Sequence, residues 1–287
     1  MFAIYKRELK SYYTGMIAPI FSAVLLVLVG VFTTATNLMG GYPNFEYALS
    51  STLIIYLIIM PILSMRSFSE DRHSRTDQLL FSLPMKLSSV VMAKYFAMVS
   101  VLGINCGILC LYPLVLSLYG SVNFLVTYGA ILAFFLLGCA LIAIGMFLSS
   151  LTESQVIAAV LSLAVFILIY MMGSLITLIP ATSAASLIGC YGIALLAAVI
   201  LYYMTKNPGA ALSLAVAVVF VLTAVYLIRS SLFEGLIQNI LSATALFDRF
   251  TNFTNGILDI TSLVYYASVS ALFVFFTVQS MEKKRWA

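Results

Sequence analysis

Charge is what this chain has least of. Only 8% of its 287 residues are Asp, Glu, Lys or Arg, against 63% that are hydrophobic. A soluble domain carries about 25% charged residues, so this chain cannot cover a water-facing surface. The long apolar runs then read as membrane-spanning helices. Histidine occurs once, as His73, and the four cysteines (Cys106, Cys110, Cys139, Cys190) lie in apolar runs without a CxxC pair. That spacing offers no zinc site or disulfide framework, and small packing residues are the expected role. There is no HExxH or GxSxG motif, and no P-loop GxxxxGK[ST], so neither metallohydrolase or serine-hydrolase chemistry nor P-loop ATP binding belongs to this chain. The apolar runs contain no central ionisable residue, which argues against a proton-coupled carrier. No internal repeat supports an inverted-repeat transporter. The first apolar run, 16–31, exceeds the usual length of a cleaved signal's apolar region, so no cleaved leader is expected.

What is present is order. Residues 1–14, "MFAIYKRELKSYYT", place Phe2, Tyr5, Leu9 and Tyr12 on one helical face with Lys6, Arg7 and Lys10 beside it. That pattern suits a helix lying in the membrane interface with its basic face toward anionic lipid headgroups. Apolar runs follow at 16–36, 47–65, 91–119, 124–149, 155–179, 183–204, 209–228 and 260–280. The expectation is an all-α, polytopic integral membrane protein with about eight spans. The alternative is six spans plus a re-entrant or inserted pair at 181–229. With the N-terminus inside, the loops at 65–94, 206 and 283–285 carry the basic residues inward, and only Arg229 and Arg249 fall outside. This is a strong positive-inside bias, with both termini cytoplasmic. In 232–252, Phe233, Leu236, Ile237, Ile240, Leu241, Phe247 and Phe250 form one stripe opposite polar residues, so an amphipathic outer-face helix is expected there. Pro61 and Pro113 should kink or loosen the second and third spans. "GINCG" (103–107) offers a close helix approach, and Asn105 within it needs a polar partner.

One segment breaks the apolar rule. Arg66, Glu70, Asp71, Arg72, Arg75 and Asp77 place six of the 24 charged residues within twelve positions. Ser67 with Glu70 reads as a capping box that starts a helix. Asp71 and Arg75 form an i,i+4 pair, and Leu79, Leu80, Phe81 and Leu83 give an apolar tip before Pro84. Topology requires only Lys and Arg. Acids alternating with bases on a preformed helix suit docking of a soluble partner.

These segments together resemble the permease subunits of ABC-2-type exporters, especially the branch of the gliding-motility and nitrous-oxide-reductase-maturation permeases. "IYKRELKSYYTGMIAPIF" (4–21) is similar to the family's elbow helix. "FSEDRHSRTDQLLFSLP" followed by "VVMAKYFA" (90–97) resembles its coupling helix. "FLSSLTESQVIAA" (147–159) is similar to the second cytoplasmic loop, and 246–286 to the outer helix and last span. The chain departs in having Arg75, where many relatives have glycine, and in the inserted helical pair 181–229. The resemblance implies a single ABC-2-type transmembrane domain over 1–287, in the inner membrane of a bacterium. It implies a separate ABC ATPase as partner and a second permease subunit, homo- or heterodimeric. No catalytic residue, cofactor or metal would belong to this chain; ATP and Mg would be bound by the ATPase. Nucleic acid is not an expected partner, and membrane lipid is. The segment 67–84 would then contact the ATPase through Glu70, Asp71, Arg72, Arg75 and Asp77, with Thr152, Glu153 and Gln155 as a second contact. Related exporters are associated with lipids, glycans, peptides and drugs. The alternatives are an ATP-independent secondary transporter or channel, or a membrane enzyme or assembly factor.

Overall fold

A computed structural model describes residues 2–73, 86–178, 182–192 and 233–286, with 180, 194 and a few positions between 219 and 229. Among the described residues there are helices and turns and no strand. In a bilayer this is the expected outcome, because a helix satisfies its own backbone polar groups.

Helix α1 (Phe2–Thr14) is followed by α2 (Ile17–Thr33), which runs on as a π-helical turn, Thr34–Met39. The corner between α1 and α2 is two residues long. The Gly15 amide donates to the Ser11 carbonyl (2.8 Å), and Met16 takes a left-handed conformation with φ of 60°. A non-glycine residue rarely adopts this conformation, and it reverses the chain sharply. Helix α3 (Phe45–Ser64) leads through one turn residue, Met65, into α4 (Arg66–His73). Then come α5 (Leu87–Leu109), α6 (Tyr112–Leu116), α7 (Phe124–Leu151) and α8 (Gln155–Leu178). The last described elements are α9 (Leu236–Ser242), α10 (Phe250–Thr254) and α11 (Ile260–Trp286).

Six helical segments among the described residues are long and apolar enough to cross a membrane: Ile17–Met39, Phe45–Arg72, Leu87–Leu116, Phe124–Leu151, Gln155–Leu178 and Ile260–Lys283. They coincide with six of the eight apolar runs. Of the other two, 183–192 is helical, and the run 209–228 lies mostly outside the described residues. Helix α3 continues through Pro61 to Ser64. Pro113 instead marks a break: α5 stops at Leu109, and Pro113 opens the short α6. A proline in the first turn gives up only an amide that has no helical partner there.

The chain divides into two compact units, Met1–Leu168 with Leu246–Ala287, and Ile169–Ala245. In the first unit α7 is the centre, packing on α11, α3, α5, α4 and α10. Small residues make this possible. A Cβ at Gly138 would meet Leu102, Met60 and Tyr56, and one at Gly145 would collide with Ser64. Lipid is as apolar as leucine, so spans associate through close packing and polar contacts rather than through exclusion of water. Aromatic rings add to the contact: Tyr56 and Phe134 lie 4.2 Å apart between centroids, and the Tyr56 hydroxyl donates to the Phe134 carbonyl (3.4 Å). Asn105 finds its partner across helices, donating to Ser22 Oγ at 2.9 Å. The GxxxG around it does not mediate a close approach here: a Cβ at Gly103 would sit 3.6 Å from Phe135, and one at Gly107 would meet nothing within 4 Å.

In the second unit Gly189 lies against Ile237, and the rings of Tyr226 and Phe233 meet edge-on at 5.7 Å. The single helix expected over 232–252 is instead two short helices, α9 and α10, joined by turns. Gly235, at φ of 69°, starts α9. The hydroxyls of Ser242 and Thr244 bond back to Asn239 and Leu241 carbonyls at its end. Such back-bonding competes with helix continuation. Of the expected stripe, Phe233, Ile237, Phe247 and Phe250 are buried, while Ile240 is exposed.

Candidate functional site

The charged segment after the second span folds as α4, and its described residues end at His73. Arg75, Asp77 and the apolar tip 79–84 lie outside the described residues. The start of α4 corrects the capping-box reading. Ser67 is not an N-cap; it lies inside the helix, and Glu70 pairs with Arg66 one turn back. The cap comes from another helix. Ser149, near the end of α7, accepts the amides of Phe68 and Ser69 (3.2 Å each) and donates to the Met65 carbonyl (2.9 Å). The first amides of a helix have no partner within it. Here a hydroxyl 80 residues away supplies one, so α4 continues almost directly from α3 and is pinned to α7.

A second anchor is Lys94. Its α5 neighbours at helical spacing, Val90, Val91, Ala97, Met98 and Val101, are all buried, and Lys94 lies on the same face, only 3% exposed. A buried ammonium requires partners. Lys94 Nζ donates to the Ser67 carbonyl (2.8 Å) and lies 2.8 Å from Asp71 Oδ2 and 3.4 Å from Glu8 Oε2. It also stands 5.3 Å from the Phe68 ring centroid, a cation–π distance. One side chain on α5 thus joins α1 and α4.

Helix α1 reaches this place through its own packing. Ile4 is buried with Val90 and Ala93, and the Tyr5 hydroxyl shares a 2.8 Å hydrogen bond with Ser100. Tyr12 is buried, and burial, reinforced by Glu8, pushes its phenol well above the ordinary value. Phe2, expected on the same face, is exposed. The inward face is rotated toward Ile4, Glu8 and Tyr12. Arg66 closes the group. Its guanidinium pairs with Glu70, reaches Ser11 Oγ at 3.5 Å and occupies the space beside Gly15 that a Cβ would take.

The link 152–154 joins α7 to α8 only three residues past Ser149, so Thr152, Glu153 and the first residue of α8, Gln155, emerge at the same end of the first unit as α4. Glu153 is exposed, and Thr152 and Gln155 are partly so. The C-terminal part of α11 is there too: an Arg72 nitrogen lies 3.7 Å from the Met281 sulfur. Glu70, Asp71 and Arg72 therefore lie at the same end of the first unit as residues 152–155, and Asp71 is turned inward to Lys94. The opposite end is quieter. Asn37, in the π-turn, donates to the Tyr42 and Asn44 carbonyls (2.7 and 2.9 Å) and holds the loop there. Asp259 caps α11, accepting from Thr261, Ser262 and Asn252. A cavity of about 370 Å³ lies between the ends of α2 and α6, lined by Gly30, Thr34, Leu38, Leu111 and Tyr112 among others. No cluster of three or more metal-ligating side chains occurs among the described residues.

The family model of the ABC-2 family transporter protein matches residues 15–191, more than half of the chain. The chain belongs to the ABC-2 transporter family. It is a multi-pass permease, the membrane subunit of an ABC transporter, and a transport subunit rather than a catalytic one. Membership implies pairing with an ABC ATPase subunit. No curated protein and no solved structure matches the permease.

Sequence reasoning missed Lys94, Ser149 and the Gly15–Arg66 contact. For Lys94 the signal was available, since a lysine at apolar spacing within "VVMAKYFA" must either reach the surface or find anions. For Ser149 there was none, because nothing local ties it to residues 65–69.

Proposed function

We propose that this permease is one of two membrane subunits of an ATP-driven exporter in a bacterial inner membrane, with a separate ABC ATPase docked on its cytoplasmic side. In this reading α1 is the interfacial elbow helix, and the segment 67–84 is the coupling helix, lying at the end that carries both termini. Glu70, Arg72, Arg75 and Asp77 meet the ATPase, with Thr152, Glu153 and Gln155 as the second contact. Asp71 contributes from within, through Lys94. The permease pairs with a second, identical or related, permease subunit, lipid surrounds the spans, and ATP and Mg are bound by the ATPase. The segment 181–229 adds an inserted helical pair to a six-span core, and the chain stands nearest the gliding-motility and nitrous-oxide-reductase-maturation branch.

One observation carries this reading. The charged segment 66–73 is pinned by Ser149 to the end of α7, the end from which the link with Glu153 leaves, and it lies beside the basic α1. A face with mixed charge, fixed to the ends of several spans, suits reception of a soluble partner's movement. The basic residues of that end also support a cytoplasmic orientation. The test is co-purification from the native host in mild detergent. An ABC ATPase accompanies the wild-type chain and is lost from the Arg75→Glu, Asp77→Lys double variant. A well-folded wild-type chain that never brings down an ATPase, even after crosslinking, would return the ATP-independent transporter or channel to first place.

A further inference from the structure

Two polar contacts join α1 to α4. The first is Lys94, held between Glu8 of α1 (3.4 Å) and Asp71 of α4 (2.8 Å) and bonded to the Ser67 carbonyl. The second is Arg66, paired with Glu70 on its own helix and reaching back to Ser11 beside the bare Cα of Gly15. The second closes on the two-residue corner that turns α1 into the first span, where Met16 is held at φ of 60°.

We propose that Lys94 and Arg66 are positioning residues that lock α1 and α4 into one block, so that displacement of α4 is delivered to the first span through the Gly15–Met16 corner. This rests on the exporter reading above. Several routes lead out of α4, the Ser149 contact to α7 among them. One runs through Met65 into α3, which is continuous chain. Another crosses to α1 through Lys94 and Arg66 and reaches α2, which also packs on α3 and α5 and buries Ala18, Phe21, Leu25 and Val29. A buried ammonium shared by two carboxylates on different helices holds both at fixed distance, and moving one without the other strands a charge. The short corner then leaves little slack between α1 and α2.

The test uses the full permease with its ATPase in nanodiscs. In the permease alone, Lys94→Met speeds amide exchange about tenfold or more in both 2–14 and 66–73, leaves 130–145 unchanged, and Lys94→Arg restores protection. A spin label at residue 10 and another at residue 117 report an ATP-plus-vanadate distance change in the wild type. That change is lost in Lys94→Met although the ATPase still co-purifies. Arg66→Gln, which removes the guanidinium and leaves the Gly15 backbone untouched, repeats the loss in a chain that folds normally. Faster exchange confined to 66–73, or a distance change that survives both substitutions, overturns the proposal. Absence of an ATPase from the wild-type preparation would instead count against the exporter reading, and the exchange measurement would still decide whether α1 and α4 move together.

Discussion

Lys94 and Asp71 stand 2.8 Å apart, one on the third span and the other on the helix that follows the second. Their side chains are 3% and 19% exposed, so the pair is screened from water more than a surface bridge would be. Removing the ammonium leaves Asp71 and Glu8 facing a low-dielectric pocket without a counter-charge. Lys94→Met therefore costs about 2–4 kcal/mol, and Asp71→Asn, which leaves Glu8 as partner, costs less. Thermal or SDS-induced unfolding in nanodiscs reads the difference. Equal stability of Lys94→Met and wild type would mean that the pair contributes nothing.

Ser149 caps a helix it does not belong to. Ser149→Ala leaves the Phe68 and Ser69 amides without their acceptor and should cost about 1–2 kcal/mol. Exchange at those two amides should rise while the middle of α7 stays protected. No change in their exchange would show that α4 is held by other contacts.

These two residues also show what the sequence can and cannot reveal. The spans are legible because each is written in consecutive residues: the runs 16–36, 47–65, 124–149, 155–179 and 260–280 reappear with ends shifted by a few residues. The third span is legible except for its break at Pro113. The first part of the charged segment, 66–73, was legible as a helix, since its composition and spacing are local; 74–84 lies outside the described residues. Its cap was not. Ser67 and Glu70 fit a local motif, but a helix start takes whichever acceptor lies nearest in space, and that acceptor is on α7. The orientation of Asp71 was hidden for the same reason: Lys94 lies 23 positions away, and only packing of α5 brings it close.

Gly145 allows α3 and α7 to cross closely at Ser64. Gly145→Ala places a Cβ into the Ser64 hydroxyl and 2.8 Å from its Cβ. Overpacking of this kind costs about 1–3 kcal/mol. Ser64→Ala in the same chain removes the oxygen but not the Cβ, so rescue is partial. Gly138→Ala meets flexible ends of Leu102 and Met60 and should be the milder change. A ranking of melting temperatures in the reverse order would contradict the crossing geometry.

Asp259 gives a pH dependence. Its carboxylate accepts from Ser262, Asn252 and Thr261, with the Ser262 bond the largest influence, and its pKa is lowered from 3.8 to about 2. A carboxyl whose folded-state value is depressed stabilises fully above its unfolded value and loses that contribution as pH falls through the folded one. The melting temperature of wild type should therefore exceed that of Asp259→Ala by a constant few degrees above pH 5, and the gap should narrow between about pH 4 and 2. A gap independent of pH would mean that the charged form of the cap is not what stabilises α11.

The most direct measurement is site-specific photocrosslinking in native membranes. A photoreactive residue is placed in turn at positions 72, 75 and 153, and as a control at position 119, at the opposite end of the unit. The account predicts crosslinks to an ABC ATPase from 72, 75 and 153 and none from 119. An ATPase captured from 119, or from none of the four positions in a chain that is expressed and folded, would contradict it.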